Sequence, residues 1–207
     1  MKYGIELEFF VTKNDNVVPA YQATHNLDGN PVVGELRTKV FKSISECIFD
    51  LKRLMYLEKK QLNNKGFNML IQPEVTVNDE FIRKLRKNRN FYDMKGKMYS
   101  DPLSIYGEAK THILPVNKFK AALQINFSKD RYLYTTDKGR RINGGVIFNY
   151  VDLIRGLDIE FKEEIKATKR VSGIYSIKDG EVSERIEYRS LPNNVNLFKV
   201  IESLNTK

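Results

Sequence analysis

The strongest constraint on the fold of this chain is an apolar and aromatic segment, Tyr3–Val11, that contains two carboxylates. Its composition is typical of a β-strand. Side chains alternate between the two faces of a strand, so Glu6 and Glu8 point the same way, about 6.5–7 Å apart along it. Two aligned carboxylates among aromatic residues are costly unless something meets their charge. Solvent, an arginine on a neighbouring strand and a metal ion are the three candidates.

The composition is that of an ordinary globular protein. Of the 207 residues, 41% are hydrophobic and 29% are charged, which favours a single domain spanning residues 1–207. No apolar run approaches the roughly 18 residues that a membrane span needs, so no membrane partner is expected. Cys47 is the only cysteine, and the chain opens without a signal-peptide pattern. Both observations favour the cytoplasm, and Cys47 is predicted to lie in the core.

The net charge of +9 favours anionic partners, among them nucleotides, nucleic acids and acidic substrates. The basic residues are spread along the chain, apart from one concentration at residues 83–89. Such a run is more typical of a solvated helix face than of a nucleic-acid site. Nucleic-acid binding is therefore the lesser alternative for this chain.

One helix stands out because both of its ends carry signals. Ser43 followed by Glu46 is a capping box, an apolar stripe at helical spacing runs to Leu62, and residues 63–66 supply a stop. Helices are predicted over 43–62, 78–88, 146–156, 159–170 and 194–204. Strands are predicted over 3–11, 17–19, 31–37, 67–77, 121–128, 173–176 and 182–189. This mixture predicts an α+β fold in which helices cover one face of a sheet.

Four of the predicted strands share an unusual feature, a pair of polar residues at positions i and i+2. The pairs are Glu6/Glu8, Glu35/Arg37, Gln124/Asn126 and Glu187/Arg189. If these strands form one antiparallel sheet, the pairs form a common polar floor. Carboxylate oxygens suit Mg²⁺ or Mn²⁺, and arginine binds phosphates or carboxylates with two parallel hydrogen bonds. The floor therefore suggests metal-assisted phosphoryl transfer, although Glu–Arg pairs across strands are also ordinary structural features.

Other catalytic signals are absent from the sequence. It has no phosphate-binding glycine loop, no Cys-x-x-Cys and no nucleophile elbow. His25 falls in a predicted loop and His112 before a predicted strand, so neither position indicates a metal ligand. A nucleotide would therefore bind by a route other than the P-loop.

Three segments resemble, in order along the chain, motifs of one known family. They are Gly4-Ile5-Glu6-Leu7-Glu8-Phe9-Phe10; Asp28-Gly29 with Gly34-Glu35-Leu36-Arg37; and Lys169-Arg170 with Gly173-Ile174-Tyr175 and Ile186-Glu187-Tyr188-Arg189-Ser190-Leu191-Pro192-Asn193. The family is the phage amidoligases, or carboxylate–amine ligases, of the glutamine-synthetase-like superfamily. Its opening strand reads Gly-x-[Glu/Asp]-x-Glu-Phe, and the last of the three segments is the most specific match.

The resemblance implies a curved antiparallel sheet with helices on its outer face, like the glutamine synthetase catalytic domain. It also implies ATP-dependent amide formation with Mg²⁺ or Mn²⁺, in which a carboxylate attacks the γ-phosphate and an amine displaces the resulting acyl phosphate. By position, the metal or nucleotide ligands are Glu6, Glu8, Glu35 and Glu187. The residues implied to bind phosphate or substrate carboxylate during catalysis are Arg37, Arg170 and Arg189.

The chain departs from the family on its central strand, where histidines are usual and this sequence has Gln124 and Asn126. Amides can bind magnesium or a nucleotide through oxygen, but they cannot act as bases near neutral pH. A diverged member with a structural or interaction role in a phage is therefore the main alternative. The substrates are expected to be a carboxylate and an amine, on a small molecule, a peptide or a protein side chain. A homo-oligomer, and the host cytoplasm as location if a phage encodes the chain, are part of the same expectation.

Overall fold

The computed structural model describes a chain of mixed helices and strands. It describes residues 2–27, 32–81, 91–92, 98–99, 113–114, 118–128, 133–135, 141–143, 154–168, 174–175 and 185–205. Helices and antiparallel strand pairs both occur among these residues, which confirms the predicted α+β class. No helix among them is both long and apolar enough to cross a membrane.

The described strands are numbered in chain order. They are β1 (Lys2–Lys13), β2 (Asn16–Val18), β3 (Gly34–Arg37), β4 (Asn68–Leu70), β5 (Glu74–Thr76), β6 (Phe91–Tyr92), β7 (Met98–Tyr99), β8 (Ile113–Leu114), β9 (Lys118–Lys120), β10 (Ala122–Ser128), β11 (Leu133–Thr135), β12 (Arg141–Asn143), β13 (Ile174–Tyr175) and β14 (Arg185–Pro192). The α-helices are α1 (Ile44–Asn64), α2 (Lys162–Thr168) and α3 (Leu197–Asn205), and residues 79–81 and 154–160 are also helical. Ala20–Gln22 forms one turn of 3₁₀ helix.

Local signals explain where α1 begins and ends. At its start the Ser43 hydroxyl accepts the backbone N–H of Ser45 at 3.2 Å. At its end Gly66 adopts a φ of 75°, which glycine reaches without a steric penalty. The Phe67 N–H then bonds back to the Leu62 carbonyl at 2.9 Å, and the Gly66 N–H bonds to the Asn63 carbonyl at 3.0 Å. These paired bonds form a Schellman motif and terminate the helix as the sequence predicts.

The chain divides into two compact units, which are described one at a time. The first unit comprises Met1–Glu6, Arg37–Arg53 and Leu123–Lys207, and the second comprises Leu7–Leu36 and Leu54–Ala122. The boundary between them falls within β1, β3, β10 and α1. This division does not test the expectation of one domain over residues 1–207, which stays a prediction.

In the first unit the strand order is β13, β14, β10 and the start of β1. β13 and β14 pair antiparallel, with Tyr175 opposite Glu187, and this is the hairpin that the sequence predicts. The core between strands and helices contains the fully buried Tyr188, Phe127 and Phe161. Cys47 is also fully buried, as predicted, and its thiol donates to the Tyr3 carbonyl at 3.0 Å.

In the second unit Leu7–Lys13 of β1 pairs with β2 and β4, both antiparallel, and β3 pairs with β1. The β1–β2 hairpin turns through Asn14 and Asp15, which adopt φ values of 49° and 61°. Two consecutive left-handed residues are the requirement of a type I′ turn, and asparagine and aspartate tolerate it well. The core cluster of this unit consists of Phe10, Val32, Val33, Val75, Val77, Phe81, Phe119 and Ala121.

Several element boundaries differ from the sequence expectation. The strand predicted over 67–77 is two strands, β4 and β5, interrupted near Pro73, whose ring cannot donate to a strand ladder. β3 begins at Gly34, three residues later than predicted, and β14 continues to Pro192. Helix α3 begins at Leu197, where the Asn196 side chain accepts the Phe198 N–H at 3.0 Å. The predicted helical residues 82–88, 146–153 and 169–170 lie outside the described chain.

Candidate functional site

Three of the predicted residues meet in the first unit, and we call them the Glu6 cluster: Glu6, Arg37 and Asn126. Asn126 lies on β10, the strand next to β1, and its amide nitrogen donates to Glu6 Oε1 at 3.2 Å. Arg37, the last residue of β3, places its Nε 3.7 Å from Glu6 Oε2. The two carboxylate oxygens of Glu6 therefore face different partners, an amide on one side and a guanidinium on the other.

The members of the Glu6 cluster differ in their access to solvent. The Arg37 side chain is 58% exposed and the Glu6 side chain 13% exposed. Asn126 is buried, and its Oδ1 makes no hydrogen bond among the described residues. A buried carbonyl oxygen without a donor calls for an explanation, and a bound water or cation is one. The cluster thus combines a buried oxygen, a shielded carboxylate and an exposed guanidinium.

The structure gives less detail for the other predicted residues of the first unit. Gln124 lies two residues before Asn126 on β10 and is almost fully buried. Arg189 lies on β14 and is partly buried. For Glu187 the structure describes the backbone, which pairs with Tyr175, while its side chain lies outside the described part. Arg170 lies outside the described residues altogether.

Glu8 and Glu35 belong to the second unit and are both buried there. Glu8 is 0% exposed, and its Oε2 accepts the backbone N–H of Ala122 at 2.7 Å. This hydrogen bond offsets part of the cost of burying the carboxyl group. Glu35 lies in β3, where its own N–H donates to the Asn26 carbonyl at 2.9 Å.

The donor set of the Glu6 cluster fits a hard divalent cation. Glu6 supplies carboxylate oxygens and Asn126 an amide oxygen, and Mg²⁺ prefers oxygen ligands. Protein-bound Mg²⁺ commonly uses one or two carboxylates and completes its shell with water and substrate phosphates. No group of three or more His, Cys, Asp and Glu residues that could hold a metal occurs within the described part of the chain. The structure thus supplies two oxygen-bearing side chains, and the four-carboxylate ligand set stays a prediction.

Two tyrosines in the first unit, the partly buried Tyr3 and the buried Tyr188, are held in the protonated form. Burial raises the pKa of the Tyr3 phenol, and the neighbouring Cys47 raises it further. Burial also raises the pKa of Tyr188 far above its usual range, and its hydroxyl donates to Asp158 Oδ1 at 2.7 Å. Neither phenol can therefore serve as a base near neutral pH.

Lys120 is a buried charged residue that is not among the predicted site residues. Lys120 ends β9 in the second unit and is only 2% exposed. Lysine is almost never fully buried unless it is paired, and the structure gives Lys120 polar interactions. Its signal in the sequence is its position between Phe119 and Ala121, inside an apolar strand pattern.

Comparison with known proteins adds no assignment. No protein-family model matches the chain, and a search of curated proteins finds no match.

Proposed function

We propose that this chain is an ATP- and Mg²⁺-dependent carboxylate–amine ligase whose nucleotide phosphates are bound at the Glu6 cluster. The observation that carries the proposal is the placement of an exposed guanidinium, Arg37, 3.7 Å from a shielded carboxylate, Glu6. A metal–phosphate complex presents both a cation and an anion, and this pair offers a partner for each. The resemblance of three segments to the phage amidoligases supplies the reaction type.

We assign phosphate binding and metal ligation to different residues of the chain. Arg37 binds a phosphate oxygen or the substrate carboxylate, because a guanidinium presents several donors in one plane. Glu6 and the buried Oδ1 of Asn126 supply oxygen ligands, and Asn126 fixes the Glu6 carboxylate by donating to its Oε1. Mg²⁺, when bound, would neutralise charge on the phosphates and orient them. Glu187, Gln124, Arg170 and Arg189, which belong to the same unit, complete the proposed set.

The proposed reaction has two steps that balance. A substrate carboxylate attacks the γ-phosphorus of ATP, the bond from that phosphorus to the β–γ bridging oxygen breaks, and ADP leaves with an acyl phosphate behind. An amine then attacks the acyl carbon, the bond to phosphate breaks, and the amide, inorganic phosphate and a proton are released. Gln124 and Asn126 cannot take up that proton near neutral pH, so its acceptor is another group, for example a carboxylate, water or the phosphate itself.

The proposal is tested by calorimetric titration of the full chain with a non-hydrolysable ATP analogue in the presence of Mg²⁺. Glu6→Gln keeps an oxygen that can accept from Asn126 but loses the negative charge, so analogue binding is expected to fall about tenfold or more. Glu46→Gln, which alters an exposed glutamate of α1, is the matched control and is expected to bind like the wild type. Equal affinity of all three proteins, or no binding by any, would refute the assignment.

Turnover is tested separately by supplying ATP, Mg²⁺, a panel of carboxylates and hydroxylamine. Hydroxylamine converts an acyl phosphate into a hydroxamate, which is detected by its colour with iron. Hydroxamate that depends on both ATP and Mg²⁺ and disappears in Arg37→Met supports the ligase. ADP release without hydroxamate would point to a simple ATPase instead.

A second candidate, a diverged family member with a structural or interaction role, is favoured by the environment of Glu8. One oxygen of this carboxylate is engaged by the Ala122 N–H, which is a structural use of a residue expected to be a ligand. This candidate predicts a folded chain that neither binds the ATP analogue nor releases ADP across the carboxylate panel.

A further inference from the structure

A pocket in the second unit shares no lining residue with the proposed nucleotide site. It has a volume of about 330 Å³ and lies between the β1–β2 hairpin and the short helical segment at 79–81. This volume is at the lower end of the range for small-molecule cavities, about 300–1,000 Å³. None of the residues assigned to nucleotide, metal or substrate binding lines it.

The floor of the pocket is apolar and fixed in place. Phe81 belongs to the buried core cluster of this unit, and the partly buried Val17 packs against the same cluster. Both side chains also line the pocket. A ligand would therefore contact side chains that the core already holds in place, so these side chains would lose little conformational entropy on binding.

The rim of the pocket carries carboxamides that also make local hydrogen bonds. The Asn16 amide nitrogen donates to the Asn14 carbonyl at 2.9 Å, and the Gln22 amide nitrogen donates to the Tyr21 hydroxyl at 3.3 Å. The oxygen of Asn78 instead accepts the Phe81 N–H at 2.9 Å. A ligand would consequently meet acceptors on Asn16 and Gln22 and a donor on Asn78.

The charges on the pocket wall cancel, which is unusual in a chain of net charge +9. Lys13 and Glu80 contribute one positive and one negative group. An anion such as a phosphate finds no net attraction here. The wall instead offers both hydrogen-bond donors and acceptors above an apolar floor.

The geometry points to a neutral, hydroxyl-rich ligand of the size of one or two sugar rings. Each hydroxyl group is both donor and acceptor, so it can pair with either end of a carboxamide. The carbon–hydrogen face of a sugar ring can pack on the ring of Phe81 and on Val17. Phosphate, nucleotide and cation chemistry fit the balanced wall less well.

The proposal is tested by NMR titration of the full chain with glucose, N-acetylglucosamine and maltose. At least one of these is expected to saturate with a Kd of about 1 mM or below. Gln22→Leu removes one acceptor from an exposed position and is expected to weaken binding about threefold to tenfold. Gln72→Leu, at an exposed glutamine whose amide nitrogen donates to the Glu74 carbonyl, is the matched control and is expected to leave the affinity unchanged.

Two further ligands and one further variant test whether the pocket prefers neutral ligands. Glutamine and glucose 6-phosphate serve as zwitterionic and anionic probes of similar size, and both are expected to bind more weakly than the sugars. Glu80→Gln keeps an acceptor oxygen, so sugar binding is expected to persist. Absence of saturation by all three sugars, equal affinity of Gln22→Leu and Gln72→Leu, or preferential binding of either charged probe would overturn the proposal. These outcomes are independent of whether the chain binds ATP.

Discussion

Glu6 and Glu8 stand two residues apart on β1, yet their surroundings give them different roles. Glu6 is held by side chains, the amide of Asn126 and the guanidinium of Arg37, and keeps some contact with solvent. Glu8 is fully buried and is held by a backbone N–H, that of Ala122. Side-chain partners can rearrange around a ligand, whereas a backbone donor in a strand cannot. The comparison teaches that Glu8 helps to hold its own unit together, whereas Glu6 keeps the solvent access that its proposed role as a ligand requires.

The largest expected effect is on stability and separates the two glutamates directly. Glu8→Ala removes a buried hydrogen bond, leaves the Ala122 N–H without that acceptor and opens a cavity, so it should destabilise the protein by about 3 kcal/mol. Glu6→Ala removes a partly exposed pair and one side-chain bond, at a cost of about 1 kcal/mol. Urea unfolding followed by circular dichroism measures both.

Glu8→Gln is the control for this comparison, because it keeps an oxygen that can accept the Ala122 N–H. It should recover much of the stability that Glu8→Ala loses. If Glu8→Ala and Glu6→Ala unfold at the same urea concentration, the structural role assigned to Glu8 is wrong.

Two glycines extend the comparison to the packing of each unit. In the second unit, a Cβ at Gly34 would collide with the ring of Phe9, which is fully buried and cannot swing away. Gly34→Ala is therefore expected to cost about 2 kcal/mol through overpacking. In the first unit, a Cβ at Gly4 would lie 3.7 Å from the Cβ of Asn126, an ordinary contact distance. Gly4→Ala should leave the unfolding midpoint nearly unchanged, and equal losses in the two variants would contradict the packing contrast.

The sequence predicts those features whose signals are local. Both ends of α1 follow from residues within one turn of the helix, the Ser43 cap and the Gly66 stop. The alternating pattern of β10 likewise places Gln124 and Asn126 on the same face. It does not reveal which strand lies beside which, so the meeting of Asn126 with Glu6, 120 residues away, depends on tertiary structure.

The burial of Glu8 could not be predicted for a different physical reason. Its partner is the backbone N–H of Ala122, 114 residues away, and a backbone donor leaves no mark in the amino-acid sequence. Arg37 is the opposite case, since its charge and its spacing from Glu35 mark it as a candidate before any contact is known. Polar side chains on strands are therefore easily found from sequence, but only the fold separates structural carboxylates from available ones.

Asp50 extends the comparison because its carboxylate accepts hydrogen bonds from both a backbone N–H and a side chain. It lies in α1 within the first unit, and its Oδ2 accepts the Lys39 N–H at 3.1 Å. Its Oδ1 accepts two hydrogen bonds from Arg53, the shorter at 2.7 Å. Burial alone would raise the pKa of Asp50, but the bonds from Arg53 and Lys39, together with their charges, bring that pKa below its ordinary value.

This lowered pKa predicts the smallest of the three effects and gives it a sign. Because the folded protein binds the Asp50 proton less tightly than the unfolded chain, the stabilisation is complete above the unfolded pKa of about 3.9 and disappears as the pH falls through the lower folded pKa. Asp50→Asn should therefore be about 1 kcal/mol less stable than the wild type at neutral pH. The difference in the free energy of unfolding between the two proteins should become smaller as the pH falls below about 4. Urea unfolding at several pH values measures it, with Asp79→Asn at an exposed aspartate as control. If this difference in stability stays constant below about pH 4, the charge of Asp50 contributes nothing to it. The hydrogen bond from the Lys39 N–H would then be the stabilising interaction of Asp50, as the bond from the Ala122 N–H is for Glu8.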